Sequence, residues 1–159
     1  MLDSTVVQGV IDDVFKIKRD PLRKTRDFLY RVRDGKRRIE NVQRRIQLHQ
    51  NSAVVHGSSS VERIAEMEEL NEYLANANRA YADILVDVAD MISCLEDVNQ
   101  QSVLAYRYID MLPWDEIADK MGMSKAVVQK IHGRALPRLQ EIIIGLEEME
   151  NKASEPLWE

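Results

Sequence analysis

Lys125, Gln129, Lys130 and Arg134 follow one another at steps of four, one and four. On a helix such steps gather the four side chains on one broad face. All four are hydrogen-bond donors. Gln129 carries the donor and acceptor pair that matches the edge of adenine, and Lys130 or Arg134 suits guanine acceptors or a phosphate. The choice between base edge and backbone stays open at this level. The chemistry is recognition of a polyanion, with plain solvation of a charged face as the alternative. Nothing in the chain suggests bond-making. There is no Gly-rich phosphate loop, no nucleophile elbow and no pair of carboxylates at metal-binding spacing, so the expectation is a non-enzyme without a cofactor.

The residues around this face say what must position it. Trp114 to Met121 reads as a short helix with Ile117, Ala118 and Met121 on its apolar side. Gly122 supplies a tight turn and Ser124 an N-cap, after which Val128, Ile131, Ala135 and Leu139 recur every three or four residues. Before them an apolar helix carries Leu104, Tyr108 and Ile109 and breaks at Leu112-Pro113. The whole stretch 103–139 is a helix-turn-helix whose second helix is built to enter a DNA groove. Trp114 either packs against a sugar-phosphate strand or enters the motif's own core. Glu116 either holds a basic residue of the module or is solvated. His132 borders the donor face, where packing outweighs phosphate contact. Pro137 lies within the helix, where its missing amide should bend the chain near Gly133.

The net charge of −5 argues against nucleic acid only until its distribution is read. Residues 16–45 hold thirteen Lys and Arg against four acids, whereas residues 62–97 hold ten acids against two Arg. Residues 120–140 hold five basic residues and no acid, and residues 141–159 turn acidic again. Low aromatic content and little β-branched alternation leave small room for strands, so the chain should be all-α. No run of eighteen apolar residues occurs, and acids stand where a secretory leader would be positive. A cytoplasmic protein without membrane contact is expected. Cys94, the single cysteine, falls in a helical apolar pattern and reads as a small core residue.

Upstream lie the elements that would carry the motif. Residues 5–18 form a short amphipathic segment within an N-terminal part, 1–21. Residues 22–50 fit a helix with Leu29, Val32, Ile39, Val42 and Ile46 on one side and many Lys and Arg elsewhere. The Ser-rich stretch 51–60 reads as a loop, with Ser60 capping the next helix. His49 and His56 flank this bend without a third ligand, so no metal is expected there. From Val61 to Asp97 the residues Met67, Leu70, Leu74, Ala77, Tyr81, Ile84, Val88, Met91, Leu95 and Val98 make a heptad seam. The two helices should fold as an antiparallel coiled-coil hairpin over 22–98, the Arg and Lys run of 31–45 pairing with the acidic helix in preference to the second nucleic-acid contact that it also invites. The basic helix is shorter by about eight residues on this count. That mismatch motivates a homodimer. Residues 99–102 make a polar join to the DNA-binding unit, 99–146, through which the helix could also run, and 147–159 an acidic, disordered tail.

Arg107-Tyr108, the run Trp114-Asp115-Glu116-Ile117-Ala118, Met121-Gly122-Met123-Ser124, Val128, and Ile131 to Leu136 followed by Leu139 resemble region 4 of bacterial sigma factors. They are closer still to the sigma-like module of small phage and prophage proteins akin to late-gene transcriptional regulators of the ArpU and RinA type. There, too, a helical hairpin precedes the module. The resemblance spans about residues 27–144 and implies binding of double-stranded DNA through Lys125, Ala126, Gln129, Lys130 and Arg134, with RNA polymerase or another phage protein as a further partner in the bacterial host cell; Trp114 and Ser124 complete the candidate DNA-binding set. Two departures stand out. Ala126 and Val127 replace residues that are commonly charged, which points away from reading a promoter −35 element, and Pro113 replaces a Ser or Thr cap. Two other classes fit the same pattern: a small terminase-like DNA-packaging subunit, and a coiled-coil interaction protein without DNA binding.

Overall fold

In the computed structural model, which describes residues 20–56 and 61–155, two long helices lie side by side. They are α1 (Arg23–His56), of 34 residues, and α2 (Val61–Ser93), of 33. The described residues contain no strand, and no helix among them is long and apolar enough to cross a membrane. The segment expected at 5–18 and the Ser60 cap lie outside the described residues. Asp20 organises the start of α1: its carboxylate accepts from the Leu22 amide at 3.1 Å and pairs with Arg26 at 3.0 Å.

The seam expected from the sequence forms. Leu29, Val32, Val42 and Ile46 of α1 are buried against Leu70, Val88 and Ile92 of α2, with Met67, Leu74, Tyr81 and Ile84 half-buried beside them. Gly35 has a steric role here. A Cβ at that position would stand 2.9 Å from Cδ2 of Tyr81, so the missing side chain lets the ring lie on the α1 backbone.

Several expectations fail in the hairpin. Residues 51–56, read as loop, continue α1: the first breaker after Gly35 is Gly57, and Gln47 donates to Asn51 at 2.9 Å across one turn. The two helices are therefore almost equal in length, and the mismatch that motivated a dimer is absent. Val98 is not a seam residue but 69% exposed, because α2 stops at Ser93 and Val98 opens the next helix. Cys94 is exposed rather than core, turned outward where the helix ends, with Sγ 3.4 Å from the Asp90 carbonyl. The charge pairing across the hairpin is thin as well. Arg31 reaches Asp87 at 3.6 Å, but Arg33 turns to its neighbour Asp34 and Arg44 to Asn41 within α1. Exposed pairs of this kind contribute at most about 1 kcal/mol, so the apolar seam holds the helices together.

The polar residues 99–102 are helical. Asp97 caps α3 (Val98–Leu104) by accepting from the Gln100 amide at 3.0 Å, while the Gln101 side chain donates to the Ser93 carbonyl at 3.4 Å and to that of Leu95. One residue thereby satisfies carbonyls left open at the end of α2. A π-helical turn, Ala105–Ile109, follows α3. Then come α4 (Trp114–Met121) and the 29-residue α5 (Lys125–Ala153). Helix α5 runs unbroken through Pro137, whose exposed ring is flanked by the buried anchors Leu136 and Leu139. It also takes in residues 147–153 of the expected disordered tail. Lys24 of α1 holds that part through Glu147 at 2.7 Å.

The principal core sits where the hairpin meets α5. Leu29, Val32, Val88, Ile92 and Leu95 pack with Leu104, Ala135, Leu136, Leu139 and Ile143. Gln140 ties the first turn of α1 to α5: its Oε1 accepts from the hydroxyl of fully buried Thr25 at 2.7 Å, and its amide donates to the Pro21 carbonyl. The hairpin and the helices after it thus share one hydrophobic interior.

Candidate nucleic-acid interface

A second, smaller core holds the motif together. Val103, Ile117, Ala118 and Val128 are buried, with Tyr106, Leu112, Trp114, Met121, Met123 and Ile131 closing around them. Gly122 turns the chain between α4 and α5 with φ 62° and ψ 34°, a left-handed conformation that glycine adopts without Cβ strain. The amides of Gly122 and Met123 both return to the Ala118 carbonyl. Ser124 then caps α5, its hydroxyl oxygen accepting from the Val127 amide at 3.3 Å. Pro113 precedes α4 with no side-chain cap, in line with the lost Ser or Thr.

With Val128, Ala135 and Leu139 buried, the opposite side of α5 is left to solvent. Lys125, Ala126, Gln129, Lys130 and Arg134 are all exposed there, and Ser124 stands at the exposed N-terminal end. Lys125 is partly committed, pairing with Asp115 at 3.3 Å and so pinning the start of α5 to the start of α4. The acid that holds a basic residue of the module is therefore Asp115. Glu116 is exposed. No sequence periodicity links positions ten apart on two helices, which is why Asp115 escaped notice.

Trp114 is half-buried, and its surroundings favour packing over free display. The Arg107 guanidinium lies 4.4 Å over its ring, and His132 meets it edge-on at 4.9 Å. Arg107 also donates to the Leu112 carbonyl at 3.0 Å, clamping the break before α4. His132 proves to be a packing residue. It stacks on Tyr108 and sits 2.7 Å from the phenol oxygen. Burial, and then the nearby charges of Arg107 and Arg26, lower the His132 pKa to about 4. The imidazole Nε2 and the phenol share this hydrogen bond. Tyr108 is shifted upward, chiefly by burial and then by Tyr30, against opposing effects of Arg107 and Arg26.

Met111 is the backbone outlier of this region, with φ 56° just after the π-helical turn. A left-handed residue with a Cβ costs on the order of 1 kcal/mol, and here the Leu112 amide bonding back to Tyr106 and the packing of the Met111 side chain offset it. Glycine usually marks such a position. Here none stands, although the break itself adjoins the expected one at Leu112-Pro113. Of the histidines at the hairpin bend, His49 approaches Glu66 at 3.6 Å, and no group of three metal-binding side chains occurs among the described residues.

Residues 97–141 match the family model described as Sigma-70, region 4. No curated protein and no solved structure matches the chain. The matched residues cover α3, the π-helical turn, α4 and the front half of α5, the parts that build the smaller core and the donor face. The chain carries a DNA-binding helix-turn-helix similar to sigma-70 region 4, behind a long helical hairpin.

Proposed function

We propose that this protein is a sequence-specific, double-stranded-DNA-binding transcriptional regulator of phage type, acting by binding and not by catalysis. The observation that carries the proposal is the exposed face of α5, where Gln129, Lys130 and Arg134 stand clear of the core behind a capped N-terminus. In the docking geometry common to such motifs, α5 lies in the major groove and α4 crosses the sugar-phosphate backbone. Gln129 then faces adenine. Lys130 and Arg134 take guanine acceptors or phosphates, and Lys125 a phosphate at the groove edge. Ala126 offers a methyl that fits against thymine. Trp114, held edgewise by His132, braces the α4 end that meets the backbone. The hairpin projects from this unit as the part suited to hold RNA polymerase or another phage protein.

The test begins with selection of bound fragments from the source genome, followed by Lys130→Ala with Arg134→Ala on the selected site. Both side chains are exposed, so the fold should persist. Affinity should fall by about 10- to 100-fold, with a shallower dependence on salt. Unchanged affinity would remove the assignment of α5 as the reading helix.

A further inference from the structure

We infer that the flank of α1 bearing Arg33, Arg37 and Arg44 is a second contact with the DNA backbone, so that the hairpin lies along the phosphates beside the groove read by α5. This rests on the DNA-binding reading above. The three arginines are spaced by four and seven residues, which puts them on one stripe of the helix. All three are exposed. Arg37 has no ion pair among the described residues, Arg44 donates only to the neutral Asn41, and the acid nearest Arg33 is its chain neighbour Asp34 at 3.5 Å.

The other flank of the same helix behaves differently. Arg31, Arg38 and Arg45 recur every seven residues on the side turned to α2, where Arg31 pairs with Asp87 and Arg45 shares a cleft with Glu66 and Glu69. Helix α2 therefore faces one flank of α1, where Arg31 pairs with Asp87, and leaves the other with a net positive charge, its three arginines standing with the exposed acids Asp34 and Glu40 of their own helix.

Continuity with the helix-turn-helix supplies the occupant. Arg33 lines a cleft of about 380 Å³ together with Arg107, Trp114 and His132, at the first residue of α4. A strand crossing the start of α4 meets Arg107 and Arg33 next, and then the stripe, which extends about 16 Å from Arg33 to Arg44. The Tyr30 ring, 4.3 Å beneath the Arg33 guanidinium, supports that head group at the mouth of the cleft. Such contacts carry no sequence information. They lengthen the footprint and steepen the salt dependence.

The experiment measures the salt dependence of binding to a mixed-sequence duplex about three helical turns long, using the full chain and two triple variants. Arg33→Ala, Arg37→Ala and Arg44→Ala together should lower the slope of log affinity against log salt by about 2 to 3. Arg31→Ala, Arg38→Ala and Arg45→Ala together, on the flank facing α2, should leave it nearly unchanged. Circular dichroism confirms that each variant is folded. Equal losses from the two triples, or an unchanged slope in the first, would overturn the inference while the α5 reading stands. A parent chain that shows no salt-sensitive DNA binding would overturn both.

Discussion

The two ends of the hairpin are made of the same two helices and are held in different ways. At the near end, where α3 and α5 dock, ten buried hydrophobic residues from four helices and the connecting turn form one interior, reinforced by the Thr25–Gln140 hydrogen bond. At the far end, among the described residues, only Val42, Ile46 and Leu70 are buried, with Met67 and Leu74 half-covered. A pair of helices alone buries one stripe of each. A third helix across them closes the interior and adds most of the stabilising area. The near end is thus the structural foundation of the molecule, and the far end an arm that depends on it.

The largest effect should come from the foundation. Leu139→Ala removes a fully buried side chain where α5 meets the hairpin, and should cost about 2–5 kcal/mol, read by denaturant unfolding. Hydrogen exchange should accelerate in α1, α2 and α5 together, and a loss confined to α5 would show that the shared interior is not one cooperative unit. Leu70→Ala in the arm should cost about 2 kcal/mol or less, because its trio of buried residues collapses more easily around the gap. Faster exchange should be confined to the arm, with DNA affinity unchanged. Were the whole protein to loosen equally, the contrast between the two ends would be wrong.

The smallest effect concerns pH at the near end. His132 binds its proton near the ordinary value of 6.5 when unfolded and only near 4 when folded. The unfolded chain therefore holds more protons between these values, so the contribution of this residue is complete above about 6.5 and is lost as pH falls towards 4. His132→Phe should flatten that part of the stability profile relative to the parent, measured as unfolding midpoints at both ends of the window. An identical pH profile in the variant would mean that the imidazole is solvated in the folded protein.

The parts of the fold that rest on local rules were legible in the sequence. The 3.6-residue period drew both hairpin helices and placed Ile117, Val128 and Leu139 inside, and Gly122 with Ser124 fixed the turn and cap at their positions. Readings that depended on packing across elements went astray. Residues 51–56 look like loop by composition yet continue a helix, residues 147–153 look like a frayed tail yet extend α5, and Cys94 looks apolar by pattern yet faces out. The donor face of α5 could be read because charge and period coincide there. The Asp115–Lys125 pair, the Tyr108–His132 bond and the turn at Met111 could not, since each depends on which distant residue the fold brings alongside.

Helix α5 is about 43 Å of continuous rod at the usual rise per residue. Its front turns face outward from the smaller core, and its middle turns are clamped in the larger one through Ala135, Leu136, Leu139 and Ile143. The helix is unbroken between them, Gly133 and Pro137 included. The arm consequently keeps a fixed bearing relative to the surface that α5 presents. If α5 lies in the groove as proposed, whatever sets the rotation of its front end about the duplex also sets the compass direction in which the hairpin points, and a load on the arm would act on the DNA-facing turns with the rod as its lever.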